Sequence, residues 1–429
     1  MLEEKPNLMR ILMAGTTYAP AFNGQAVFMT QLAERLAASG HSVAVLAPSE
    51  SGEPGETVVN GVQIVRPPTL RLTHWHPNAA VPLVSWPMVE NLFDRFRPQV
   101  AHIHDHYPLS WTVAQTARHR SLAVIGTNHF MPENLSPYLP LWQMGQPLYR
   151  GVLWRWMLHL YNTFDVVTVQ SQSAGAILEE EGLDRPLRLI SCGVDLEKFS
   201  FNASLDPQTV RRRFGLHPTA AILLYVGRVD HEKRLDVLIR ALAQARCADC
   251  RLAIAGRGAA LLSLQALVGE LGLEARVHFL GYVSEGDKRD LLNSADIFAM
   301  PSDAELLSIA TLEAMACGRP VLAARAQALP ELVADGENGR LFQPNDVGDA
   351  AAVLTELVNR PQVWPAMGAA SRQRAEAHGW PEVLAGYTHL YEEVIQQSPL
   401  PTALVDKHLR LEKRADQASG VSVNHISSL

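Results

Sequence analysis

Short apolar runs recur along the chain, each followed by a stretch with helical spacing, and this alternation sets the expected fold. RILMAG near the N-terminus has strand length and is almost wholly apolar. In QAVFMTQLAERLAASG the apolar residues Val27, Leu32, Leu36 and Ala37 return along one helical face, and Gly40 supplies a stop. HSVAVLAP reads as the next buried strand. VQIVRP, VAHIHD, LAVIGTNH, VVTVQS and LRLISCG continue the series, mostly separated by helical stretches. Continuous apolar strands alternating with helices predict a parallel sheet covered on both faces.

The pattern restarts after GVDLEKF (193–199) and the polar passage NASLDP. AILLYVGR, CRLAIAGRG, VHFLGYV, DIFAMPS and PVLAA read as strands. RLDVLIRALAQA, LLSLQALVGELGL, KRDLLNSA and the stretch ending at Gly318 and Pro320 read as helices. The expected fold class is therefore α/β, with two doubly wound, Rossmann-like domains, 1–199 and 200–380. An amphipathic helix follows at 381–397. The tail, 398–429, has too few apolar residues for a core and is expected to be mobile; its basic stretch KHLRLEKR reads as solvated rather than lipid-bound. In such sheets ligands bind at the carboxyl ends of the strands, so chemistry belongs in the strand-to-helix loops.

At 429 residues the chain suits two domains, and its formal charge of -7 lacks the basic signature of a nucleic-acid partner. The four cysteines are too scattered for a disulfide framework and fit a reducing cytoplasm. Cys247 and Cys250 form a lone C-x-x-C with no second pair, so they read as ordinary cysteines rather than a metal site. MLEEKPNLMRILMAG begins acidic and runs into a strand, unlike a signal peptide. No apolar run approaches the ~20 residues of a membrane helix. A cytoplasmic protein is expected, with any membrane contact peripheral and at the inner face. Nothing in the sequence sets an oligomeric state.

Two loops carry candidate chemistry. YVGRVDHEKRLDVL leaves a strand and enters a helix, and its Gly227, Arg228 and Lys233 suit a diphosphate: an Arg offers a fork and a Lys a mobile charge. MPSDAELLSIATLEAMACG places Glu305 before a helix expected to begin near Leu306, with Glu313 two turns inside it. The first amides, at Leu307, Ser308, Ile309 and Ala310, then lack intrahelical acceptors and suit phosphate oxygens. Taken singly, these residues are solvated loop and helix positions; together they suit a diphosphate beside a diol such as a ribose, which Glu313 can reach along the helix.

This conjunction resembles the family-4 glycosyltransferases, retaining enzymes with the two-domain GT-B fold whose hallmark is Glu, seven residues, Glu. GRVDHEK, ISCGVDLEKF, AFNGQAVFMTQLAERLAASGHSVAVLAP and TNHF look like further family segments, and the likeness covers roughly 8–395. It extends to lipid-directed members such as diacylglycerol glucosyltransferases and lipid mannosyltransferases. The resemblance implies two domains facing across a cleft, with Arg228 and Lys233 on the donor diphosphate, Glu313 on the ribose and Glu305 on the sugar hydroxyls. It also implies His129 beside the reacting centre, Gly24 and Gly227 where backbone approaches the donor, and Tyr282 and Val283 near the base. The reaction implied is transfer of a hexose, from UDP-glucose or GDP-mannose, to an acceptor hydroxyl with retention, needing neither cofactor nor metal.

Two departures stand out: Leu307-Ser308 where the family often has Phe-Gly, and Asn23-Gly24 where many members have Gly-Gly. Both also occur in members acting on lipids. Trp75, Trp86, Trp142, Trp154 and Trp156 lie among Arg71, Arg150 and Arg155, which suits a lipid acceptor such as diacylglycerol; pocket or core walls are the alternative. Asp105 and Glu133 are candidate acceptor contacts, Asp105 being equally readable as a structural loop residue. The remaining readings are a soluble sugar or small-molecule acceptor, and a non-catalytic nucleotide-sugar-binding subunit. A dinucleotide oxidoreductase is disfavoured, because AGTTYAPAFNG lacks G-x-G-x-x-G and AGRGAALL has only its first two glycines.

Overall fold

A computed structural model describes residues 8–21, 23–71, 80–132, 142–247 and 249–398, with backbone only over 142–149. The strands and helices are organised about two large sheets. The first is built from β1 (Arg10–Ala14), β2 (Ser42–Leu46), β3 (Gly55–Val59) and β4 (Val62–Arg66). A separate antiparallel ribbon, β5 (Thr69–Arg71) with β6 (Ala80–Pro82), follows. The first sheet then takes β7 (Val100–Ile103), β8 (Ala123–Thr127), β9 (Val166–Val169) and β10 (Leu187–Leu189). Its helices are α1 (Gly24–Ala38), α2 (Trp86–Phe96), α3 (Pro108–His119), α4 (Trp142–Tyr161) and α5 (Gln172–Glu180).

The strand order is β10-β9-β8-β7-β1-β2-β4-β3. The strands run parallel except β3, which returns on β4 through Asn60 and Gly61, both at positive φ. That Asn-Gly pair makes a two-residue hairpin. β7 and β8 are buried along their whole length, as a sheet covered on both faces requires, whereas edge strand β3 is exposed throughout.

The second sheet is wholly parallel, with β11 (Ala221–Val226), β12 (Cys250–Ala255), β13 (Val277–Gly281), β14 (Ile297–Met300), β15 (Val321–Ala324) and β16 (Gly339–Phe342). Its order is β13-β12-β11-β14-β15-β16, the doubly wound arrangement. Around it lie α6 (Pro207–Arg213), α7 (Leu235–Gln244), α8 (Leu261–Glu270), α9 (Glu285–Ser294) and α10 (Ile309–Ala316). The short α11 (Leu329–Leu332), then α12 (Val347–Val358), α13 (Trp364–Glu376) and α14 (Trp380–Gln397), complete the chain. Leu224, Ile254 and Phe298 from the strands pack with Leu238, Leu312 and Leu354 from the helices in one core. The order reverses between β1 and β7 in the first sheet and between β11 and β14 in the second, which are the places where such sheets hold ligands.

The structure corrects the reading of one cysteine pair. Cys247 and Cys250 are joined in a disulfide, their Cα atoms 5.8 Å apart where the segment after α7 enters β12. Arg276 lies against them, its Nη2 3.2 Å from the Cys250 sulfur. Cys192 and Cys317 are buried free thiols. Among the described residues no helix is long and apolar enough to cross a membrane. The tail beyond Ser398, including KHLRLEKR, lies outside the described residues.

Candidate active site

The second sheet brings most of the expected residues to its switch point. β11 ends at Val226, and the chain turns through Gly227 and Arg228 beside the end of β12. The crowding there is between backbones: a Cβ on Gly256 would sit 1.8 Å from the Gly227 carbonyl oxygen. The Tyr225 hydroxyl donates to the Arg228 carbonyl at 2.5 Å and fixes the turn. Arg228 sends its guanidinium to Asp230 and, at 2.6 Å, to Glu232. Asp230 is itself pinned by the Ala259 amide at 2.8 Å.

Lys233 ends a short 3-10 turn, His231–Lys233, and its Nζ lies 2.6 Å from Glu305 Oε1. Both side chains are largely buried. The two expected phosphate cations are thus held on the chain's own carboxylates. Glu305 also acts electrostatically on Cys192, whose thiol burial pushes up to about 12, with the Glu305 charge adding to the shift.

The helix after Glu305 begins later than the sequence reading placed it. α10 starts at Ile309, not near Leu306, because Ser308 takes extended geometry and caps it. Ser308 Oγ accepts from the Thr311 amide at 3.3 Å and from the Thr311 hydroxyl at 2.8 Å. The Leu312 amide goes to the Ser308 carbonyl. This leaves the amides of Ile309 and Ala310, both partly exposed, outside the helix's own hydrogen bonding. The Leu307 amide lies before the helix rather than in its first turn.

Glu313, on α10, is buried and accepts from Lys288 Nζ at 2.8 Å. Burial raises its pKa, with the Lys288 charge pulling the other way. Lys288 was not singled out in the sequence, since it sits on α9, 25 residues from its partner, and no local pattern links the two. Tyr282 and Val283 follow the end of β13, where Tyr282 is half exposed and Val283 partly so.

His129 follows β8. Its Nδ1 lies 3.3 Å from Gln170 Nε2, a side chain just past β9 that the sequence reading missed. The ring keeps some open surface, yet burial pushes its pKa down to about 3, so the imidazole is neutral at neutral pH.

Gly24 opens α1, and a Cβ there would meet no protein atom within 4 Å. Asn23 is the helix cap and accepts from the Ala26 amide at 2.9 Å. Asp105 is almost wholly buried, and its donors define its part. Oδ2 accepts from the Thr16 amide at 2.5 Å, the Thr16 hydroxyl at 2.8 Å and Gln25 Nε2 at 3.1 Å. Oδ1 accepts from the Tyr107 amide at 3.2 Å and Ser110 Oγ at 2.6 Å. A carboxylate with about four lone-pair sites is saturated by these partners. Asp105 therefore ties the loop after β1 to the loop after β7.

Glu133 and Trp75 lie outside the described residues, as does the side chain of Trp142. Trp154 is buried as a core wall, whereas Trp86 and Trp156 are exposed.

Comparison with known proteins gives the chain's family and fold. The family described as Glycosyltransferase Family 4 matches residues 22–198, and Glycosyl transferases group 1 matches 206–374. D-inositol 3-phosphate glycosyltransferase 2 of Catenulispora acidiphila is 32% identical over 308 residues, covering 68% of this chain and 71% of that protein. Sulfoquinovosyl transferase SQD2 of Arabidopsis thaliana is 28% identical, over 71% of this chain and 59% of that protein. Among solved structures, Anabaena HepE in complex with UDP-glucose superposes with a TM-score of 0.70 at 20% identity, covering 91% of this chain and 100% of that one.

Proposed function

The chain belongs to the family-4, group-1 glycosyltransferases of GT-B fold, and from that premise we propose a metal-independent, retaining transfer of a hexose from a nucleotide sugar, UDP-glucose first and GDP-mannose second, to an acceptor hydroxyl. The observation that carries the donor reading is the cluster at the ends of β11 and β14: Arg228, the Lys233–Glu305 pair, and the Ile309 and Ala310 amides. A diphosphate entering this cluster exchanges internal carboxylates for its own oxygens. Lys233 turns from Glu305 to phosphate, which frees Glu305 to accept from hydroxyls of the transferred sugar. Arg228 turns likewise from Asp230 and Glu232.

In the reaction the bond from C1 of the sugar to the phosphate oxygen breaks. The acceptor oxygen bonds to C1 on the same face, and its proton passes to the departing phosphate. The nucleoside diphosphate gains negative charge as it leaves, where the two cations and two amides stabilise it. His129, neutral, serves as a hydrogen-bond partner near the sugar rather than as a charged acid.

For the acceptor, a membrane lipid such as diacylglycerol is the first reading. Support comes from Trp156 and Val152, exposed on α4 beside exposed Arg155, an arrangement that fits an interface. A soluble phosphorylated cyclitol is the second, favoured by the name of the inositol-phosphate relative. The test measures turnover of UDP-glucose, UDP-galactose, UDP-N-acetylglucosamine and GDP-mannose with diacylglycerol micelles, with inositol 3-phosphate, and with neither, each with and without EDTA. Turnover that rises with micelles, keeps the α-anomer and ignores EDTA supports the first reading. A rise only with inositol 3-phosphate moves the acceptor to the second. Nucleotide binding with no turnover supports a non-catalytic subunit.

A further inference from the structure

A row of alternating charges leads to Glu313. Lys198 Nζ is 2.7 Å from Glu285, Glu285 is 2.8 Å from Lys288, and Lys288 is 2.8 Å from Glu313. Side-chain exposure is 42% and 59% at Lys198 and Glu285 but 14% and 7% at Lys288 and Glu313, so the row runs from solvent into the protein. The Phe199 ring backs it, its centroid 4.9 Å from Lys288 Nζ and 5.5 Å from Lys198 Nζ. Lys288 thus divides its donors between two carboxylates and an aromatic face, an arrangement that fixes the ammonium in place.

The contact to Glu313 uses Oε1 alone, and Oε2 takes no hydrogen bond among the described residues. A buried carboxylate held by one oxygen, with the other uncommitted, is an acceptor prepared for a hydroxyl ligand. Resting on the nucleotide-sugar reading of this site, we propose that Lys288, backed by Glu285, is a positioning residue that keeps Glu313 ionised and oriented to accept from the ribose hydroxyls of the donor.

The electrostatics agree with this geometry. Burial works against both charges; at Lys288 the Glu313 and Glu285 carboxylates outweigh it and raise the pKa, while at Glu313 burial prevails and the pKa is raised. The charged groups acting on Glu313 are Lys288 and Glu285 on α9 and Lys198 before Phe199. Cys317 at the end of α10 stays neutral, its thiol pushed up to about 12 by burial. Removing Lys288 raises the pH at which Glu313 ionises. Removing the like charge of Glu285 lowers it.

The test measures binding of UDP, GDP and ADP, and of their 2′-deoxy and 3′-deoxy counterparts, from pH 5.5 to 8.5 by calorimetry. The native protein is expected to prefer a ribonucleotide to a deoxy counterpart by about tenfold or more, the scale of a hydrogen bond to a charged group. Lys288→Met should cut that preference to under about threefold near pH 6.5 and move its pH midpoint upward. Glu285→Gln should move the midpoint downward, and Lys288→Arg should restore most of the preference. A mere tie between α9 and α10 would not move the two midpoints in opposite directions. A folded Lys288→Met protein with the native preference and midpoint overturns the proposal. If that variant does not fold, an unmoved midpoint in Glu285→Gln overturns it. A native protein that binds a nucleoside diphosphate with no preference for ribose refutes the ribose role of Glu313, while leaving the diphosphate reading in place.

Discussion

Individual side chains explain why this site rests in a closed electrostatic state. Lys233 and Glu305 are a largely buried pair at 2.6 Å, so removing either leaves the other charged and without its counter-ion. Breaking such a pair costs about 3–5 kcal/mol. Lys233→Ala should therefore lower both the melting temperature and turnover, the latter by about 100- to 1000-fold for the loss of one preorganised donor. Arg228 is half exposed, and without it Glu232 can turn to water while buried Asp230 keeps its bond from the Ala259 amide. Arg228→Ala should lose turnover on the same scale with little change in melting temperature. Steady-state kinetics beside thermal denaturation separates the two variants; equal loss of stability would refute the distinction. Arg228, Lys233 and Glu305 could be read as donor-binding from the sequence because each lies in a loop whose strand and helix are local, and Glu313 because it follows Glu305 at a fixed spacing on the next helix. Lys288 was not, because its contact to Glu313 depends on how α9 packs on α10.

At the scale of elements, one helix cap and one buried carboxylate govern the loops. Ser308 caps α10, and its hydroxyl serves Thr311. Ser308→Ala should cost about 1 kcal/mol of stability and Ser308→Gly only a few tenths, as measured by urea denaturation. Because the Ile309 and Ala310 amides remain outside the helix's own bonding in either variant, the glycine variant should keep nucleotide affinity. Asp105 does the corresponding work in the first sheet, fastening the loops after β1 and β7. Asp105→Ala leaves the buried Ser110 hydroxyl and the part-buried donors of Thr16 and Gln25 unserved, and should destabilise by about 3 kcal/mol or more. Stability unchanged in that variant would contradict its part as a fastener. The apolar strands were readable as elements because they are buried along their length. β3 was not read, being exposed throughout with only two apolar residues, Val58 and Val59, although the Asn60-Gly61 turn beside it was a signal available in the sequence. The start of α10 was misplaced by three residues because Leu306 and Leu307 suit a helix by propensity, while the Ser308 cap decides the boundary.

In the whole molecule the two sheets repeat one principle, a parallel sheet whose order reverses once, and each reversal point carries its own tied loops. This repetition was visible as a restart of the strand-helix alternation after residue 200. The charged groups read as donor-binding, however, belong overwhelmingly to the second sheet, whereas the loop ties around Asp105 in the first are satisfied internally. A nucleoside diphosphate at 100 times its Kd adds about 2.7 kcal/mol to the stability of the folded state that binds it. That increment should appear first where the diphosphate is held. Hydrogen exchange with saturating UDP should therefore slow at β11, β14 and the first turn of α10, and change little in β2 and β4. If protection rose equally in both sheets, the binding energy would be spread through the molecule, and the assignment of the diphosphate to the Arg228, Lys233 and α10 cluster would lose its physical basis. If it rose in the first sheet alone, the cations of the second would be structural pairs, and the donor would have to be sought at the end of β1.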